Sequence, residues 1–403
     1  QDRSEGMNGR LDERQLFHWL RLIRSENVGP RTFRMLINRF GGAAAALDAL
    51  PDLAAQRGRV LKIAPVDEIE RELEAAARMG VRWLPLGDPD YPPLLRGVDA
   101  PPPLLTMRGQ AAVLHRPAVA MVGSRNASAA GLAFTERMAR GLAQADYVVV
   151  SGLARGIDAR AHQTTLQTGT IAVLAGGQDR LYPADHAALL DRILDHGAAI
   201  SEMPMGWEPR GRDFPRRNRI VAGVTSGTVV IEAARRSGSL ITARFAVELG
   251  REVFAVPGSP MDPRAEGAND LLREGATLCA RVEDITSVLD AQRGGSRQHD
   301  LFSESPRESS DAADLWDELD FIVGPQAAAR APASPTGEWG EAQAFQPTDI
   351  AARVVALLGP SPVSVDELAR AAEASARDVQ GVLAELDLQG RIVRVGVNLV
   401  ALR

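Results

Sequence analysis

Between residues 118 and 289 the chain repeats one texture: a short apolar run, a turn containing glycine or a hydroxyl residue, and a segment of helical spacing. The runs at 119–122, 147–150, 170–174, 198–200, 228–231 and 252–256 are largely continuous rather than alternating. Alternation marks a strand wet on one face, whereas a continuous apolar strand is buried on both. Strands of the second kind, separated by helices, fold into a mostly parallel sheet covered on each side.

That α/β, Rossmann-like domain is expected over residues 100–290. Ahead of it, apolar residues at helical spacing (Leu16, Trp19, Leu20, Ile23, then Phe33, Leu36, Ile37, Phe40) predict a helical unit over 11–85. Asn27-Val28-Gly29-Pro30 breaks its first two helices, a SAM-like or helix-hairpin-helix arrangement that either grips DNA backbone or docks on another domain. Prolines from 92 to 103 read as a stiff, extended bridge between the two units. Residues 291–345 lack periodicity and read as an acidic flexible linker. Residues 346–403 return to three helices and a hairpin across Gly396, a winged-helix pattern.

Charge sharpens the functional reading. The formal net charge is −6, and the 291–345 segment alone holds ten acidic residues against four arginines, so the remainder balances at 42 against 42. Local basic patches, not totals, set affinity for phosphates. The single cysteine, Cys279, excludes a disulfide framework and predicts a reducing, cytoplasmic setting. No apolar run approaches the ~18–20 residues that span a bilayer, and the first residues show no signal-peptide pattern.

Five turns fall where parallel strands meet helices, the usual ligand crevice of such sheets. Gly123-Ser124-Arg125 offers backbone N–H groups, a hydroxyl and a guanidinium to a phosphate. Ser151-Gly152 with Arg155 repeats the combination; there Asp158 caps the next helix or orients Arg155, and His162 packs inside it. Gly176-Gly177 permits close backbone approach. The richest turn carries Arg210, Arg212, Phe214, Arg216, Arg217, Asn218 and Arg219, where guanidiniums neutralise phosphates and a phenyl ring can stack an unpaired base. Some of these arginines are expected in structural ion pairs instead. Ser237-Gly238 opens the fifth turn. No Gly-Lys-Ser/Thr phosphate loop, Cys/His metal spacing, Gly-x-Ser-x-Gly elbow or dinucleotide fingerprint occurs, so no cofactor, no metal and no catalysis are expected.

These turns, in this order, resemble the DNA processing protein A (DprA/Smf) family. The resemblance rests on residues 122–125, the 151–158 run with His162, Gly176-Gly177 with Tyr182-Pro183, Ser201-Glu202, Phe214-Pro215-x-Arg217-Asn218-Arg219-Ile220, residues 237–242 and Val256-Pro257-Gly258. It implies a homodimer that binds single-stranded DNA and helps load the RecA recombinase in natural transformation and recombination. It places Arg125, Phe214, Arg217, Asn218 and Arg219 at the DNA. The basic residue that the family carries just before the phenylalanine corresponds to either Arg210 or Arg212. Two alternatives stand beside this reading. One is a Rossmann-like nucleotide phosphoribohydrolase, weakened because no carboxylate follows residues 237–242 at the spacing that chemistry needs. The other is a winged-helix transcription regulator, weakened by Asp378, Glu385 and Asp387 in the expected recognition helix.

Overall fold

Asp12 starts the first helix by accepting the Gln15 N–H, while the Gln15 side chain accepts from the Asp12 N–H, a reciprocal cap. The computed structural model describes residues 10–56, 61–295, 349–395 and 398–402. Helices α1 (Glu13–Ile23), α2 (Pro30–Phe40), α3 (Ala43–Gln56) and α4 (Val66–Arg78) form the N-terminal unit. Proline at the first position of α2, and Gly41 in the left-handed region after it, set both of that helix's ends. Leu22, Val28, Phe33, Leu36, Leu47 and Leu50 make its core.

The proline bridge is where the structure departs from the sequence reading. β1 (Arg82–Pro85) and β2 (Leu104–Gly109), with the short helix α5 (Pro93–Arg96) between them, belong to the α/β unit. Tyr91 is fully buried and its hydroxyl donates to Pro102 O at 2.8 Å, so the proline segment is packed rather than spanning free space. Prolines tolerated beside an antiparallel edge look, in sequence, like those of a linker.

β2 pairs antiparallel with β6 (Ala198–Ser201), and from there the sheet is parallel through β5 (Thr170–Val173), β4 (Val148–Ser151), β3 (Ala118–Gly123), β7 (Gly227–Ile231), β8 (Glu252–Ala255) and β9 (Thr277–Leu278). Residues of opposite parity feed two cores. Ala120, Val122, Val148 and Val150 face one layer, and Val119, Met121, Val149 and Phe254 face the other. Helices α6 (Ala129–Gln144), α7 (Ile157–Thr164), α8 (Ala187–His196), α9 (Asp213–Gly223), α10 (Gly238–Glu248), α11 (Glu266–Arg273) and α12 (Glu283–Gly295) connect or flank the strands. The chain runs outward from β3 to β6, then returns to lay β7 against β3. That reversal makes β3 and β7 the topological switch point, at whose carboxyl ends ligands gather in such sheets.

The last unit has helices α13 (Ile350–Leu357), α14 (Val365–Ala372) and α15 (Ala376–Leu388) with a small sheet in the order β10 (Val363–Ser364), β12 (Leu399–Leu402), β11 (Ile392–Val395). Ser364 and Glu367 form a second reciprocal cap, at the start of α14. The strand β10 was not anticipated; two residues are too few to show a period. Ala129 of α6 packs into this unit's apolar cluster, and Arg264 donates to Leu358 O at 3.0 Å. The first residues of the expected linker, 291–295, continue helix α12 instead, and its remainder, like the turn at Gly396, lies outside the described residues.

Candidate nucleic-acid interface

The arginine-rich run is a helix start, not a loop. The Asp213 carboxylate accepts the Arg210 N–H at 2.8 Å and the Trp207 indole N–H at 2.9 Å, pinning the preceding turn to the first residue of α9. Helical periodicity then sends the arginines in different directions. Arg217 and Asn218 turn inward and are buried, while Arg210 and Arg212 stay exposed before the helix. Asn218 donates to Gly238 O at 3.1 Å, tying α9 to the head of α10.

Arg217 passes beneath the 151–158 turn and donates to Val173 O at 3.0 Å. Gly152 lies against its guanidinium so closely that a Cβ there would overlap it. Burial lowers the Arg217 pKa to about 10, with Asp158 opposing that shift and Arg125 adding to it, so the group is still charged at neutral pH. Asp158 neither caps α7 through that helix's own amides nor meets Arg155. Its carboxylate accepts the N–H groups of Gly152 and Ala154 at 3.1 and 3.3 Å and holds the turn closed. Burial raises the Asp158 pKa, with Arg217 opposing. Arg155 instead pairs with Asp185 at 2.8 Å.

Arg216 and Arg219 converge on Glu202, whose side chain is buried; Arg216 Nε lies 2.7 Å from one carboxylate oxygen, and Arg219 pairs with the other. Burial alone would raise the Glu202 carboxyl, but the two guanidiniums outweigh it and hold the pKa below its ordinary value. These two arginines thus form the ion pairs that such a dense run makes unavoidable.

The remaining turns serve mainly as scaffold. The Ser124 N–H donates to Ile231 O at 3.3 Å and its hydroxyl accepts from the Asn126 N–H, so this turn satisfies itself. The Ser151 hydroxyl donates to Met121 O at 2.6 Å inside the sheet. Gly176 and Gly177 admit the 204–209 segment: the Gly177 N–H donates to Trp207 O at 3.0 Å, and a Cβ on Gly176 would meet Pro209 at 2.8 Å. Ser237 caps α10 through the Ser239 N–H. His162 is buried, as its place on α7 suggests. Its Nδ1 lies 2.8 Å from Thr170 Oγ1, whose own hydroxyl donates to Val149 O, so Nδ1 carries the proton.

What faces solvent above this scaffold is an aromatic and cationic surface. The Arg125 guanidinium lies 5.4 Å from the centre of the Phe214 ring, and Arg217 approaches the same ring at 5.9 Å. Tyr182, 49% exposed, meets Phe214 edge to face at 5.4 Å. The Arg210 guanidinium lies over Trp207 at 5.3 Å. Sequence reasoning named Phe214, Arg125 and Arg210 but did not assign Tyr182 or Trp207 to the surface. Tyr182 was signalled only through the family resemblance and Trp207 only as an aromatic residue beside a glycine turn, and both become meaningful once α9 and the two turns are adjacent. Such a surface offers ring faces for unpaired bases and fixed positive charge for the phosphates between them.

Residues 82–290 match the family described as DNA recombination-mediator protein A. Residues 13–75 match the DprA-like N-terminal HHH domain, and residues 327–396 the DprA winged helix domain. The DNA processing protein DprA of Bacillus subtilis is 37% identical over 225 residues, covering 55% of this chain and 76% of its own length. Protein Smf of Escherichia coli is 42% identical over 228 residues, covering 56% of this chain and 61% of its own. The X-ray structure of DNA processing protein A from Streptococcus pneumoniae superposes with a TM-score of 0.57 at 30% identity, over 69% of this chain and 98% of that one. Helical, parallel α/β and winged-helix units in this order, with a central match over more than half the chain, place it in the DNA processing protein A (DprA/Smf) family.

Proposed function

We propose that the chain binds single-stranded DNA across the surface formed by Arg125, Phe214, Tyr182, Trp207, Arg210 and Arg212, and acts as a recombination mediator that loads RecA on incoming strands in natural transformation. The observation that carries the binding reading is the half-buried Phe214 ring, flanked by Arg125 and the exposed Tyr182 at the mouth of the switch-point crevice. A base inside a duplex keeps both faces stacked on its neighbours and has none to offer such a ring. An unpaired base does. Arg217, buried just below, adds a positive charge that water screens poorly. Ser237 and Gly238, at the head of α10, extend the surface beyond Asn218.

RecA loading, a homodimeric state and a cytoplasmic site of action belong to the same proposal, and what supports them is the family resemblance rather than these side chains. On this reading the protein works by binding, without a catalytic step. Photocrosslinking a single strand carrying bromouracil to the full chain, with mass-spectrometric mapping, tests the surface. Adducts are expected on Phe214, Tyr182 or Trp207. Adducts confined to residues 349–402 would overturn the assignment and favour a winged-helix DNA reader.

A further inference from the structure

The switch point of a doubly wound sheet holds a ligand phosphate at the N-terminus of the helix that follows the central strand. Here that helix is α6, and its first turn is occupied by the protein's own carboxylate. Glu232, the residue after β7, accepts the Ser128 N–H at 2.8 Å and the Ser128 hydroxyl through its other oxygen. The Ser128 hydroxyl in turn accepts the Gly131 N–H at 3.0 Å. Gly131 has no side chain where one would stand 2.5 Å from the Glu232 carboxylate. Glu232 itself sits at φ 50°, a left-handed conformation that strains a residue other than glycine. A strained backbone, a glycine cradle and a serine relay all converge on one carboxylate.

We propose that Glu232 is a specificity-determining residue: an internal stand-in for phosphate that closes the crevice to nucleotides and other phosphate monoesters. Strand binding is thereby left to the arginine and aromatic surface around Phe214. The carboxylate supplies the negative charge that a helix N-terminus favours, and it fills the volume a phosphate would need. A free nucleotide therefore finds its usual site already occupied. The inference concerns small phosphates and stands whether or not the chain binds DNA.

Replacing Glu232 by glycine removes the carboxylate and suits the backbone angle. In titrations of the full chain with inorganic pyrophosphate, followed by calorimetry and thermal shift, the wild type is expected to show only weak binding. Glu232→Gly is expected to bind at least ~10-fold more tightly and to gain thermal stability from the anion. Glu232→Gln, which keeps the volume, is expected to behave like the wild type. Adding Gly131→Ala to the glycine variant should refill the space and abolish the gain. A Glu232→Gly protein that folds only when pyrophosphate is present also supports the proposal. A variant as indifferent to pyrophosphate as the wild type, unfolded with or without it, or binding equally well with Gly131→Ala added, would overturn it. Single-strand affinity of the wild type, measured in parallel, reports on the DNA reading separately.

Discussion

The Arg125 guanidinium lies over the Phe214 ring, 5.4 Å from its centre, and that pair joins the turn after β3 to the start of α9. Among the described residues, no carboxylate holds Arg125 in the way that Glu202 holds Arg216 and Arg219. The two residues should divide the binding energy by kind, stacking on one side and charge on the other.

Phe214→Ala should weaken single-strand binding by about 5–150-fold, the equivalent of ~1–3 kcal/mol for one stacked base. The salt dependence should stay unchanged, because no phosphate contact is lost. Fluorescence anisotropy at several ionic strengths checks both statements.

Arg125→Ala should lower affinity and also flatten the dependence of log K on log salt by ~0.7 per phosphate contact removed. The same titration reads it. An unchanged slope in a folded variant would move Arg125 off the phosphate path.

Glu202→Gln separates scaffold from surface. It removes the carboxylate charge that Arg216 and Arg219 share and should destabilise the fold by about 2–3 kcal/mol at neutral pH. Because the Glu202 pKa is lowered in the folded state, its contribution is present above pH 4.5, the ordinary glutamate value, and is lost as pH falls through the depressed folded value. The stability gap between wild type and variant, measured by denaturant unfolding, should narrow on acidification below that point.

His162 gives a different acid response. Burial drives its pKa from 6.5 down to about 3, so the unfolded chain takes up a proton that the folded one refuses. Its contribution is complete above pH 6.5 and is lost progressively as pH falls toward 3, at up to ~1.4 kcal/mol per pH unit. His162→Asn, which keeps a donor for Thr170, should show a shallower decline between pH 6 and 4 in the same unfolding assay.

Much of the architecture was readable because buried parallel strands leave long-range evidence in a local pattern. Val148, Val149 and Val150 are apolar in succession because both faces of β4 are covered. β1 and β2 were not readable, because Tyr91 and Pro102 had to be seen in contact before the proline stretch stopped resembling a linker. At the interface, sequence located the right turns but could not sort their residues. Arg217 and Arg212 are alike in sequence; the helical phase of α9 buries the first, while the second stays exposed just before that helix begins. The same holds for glycines. Gly152 reads as a phosphate turn, and in the fold it makes room for an arginine.

The central claim is that this surface takes unpaired strands, and a salt-titrated comparison of single-stranded and duplex DNA of equal length tests it most directly. The account predicts tighter binding of the single strand at every salt concentration, with a preference that survives at high salt, because base stacking on Phe214 is not a counterion effect. Equal or tighter binding of the duplex, lost when residues 348–403 are deleted, would contradict it.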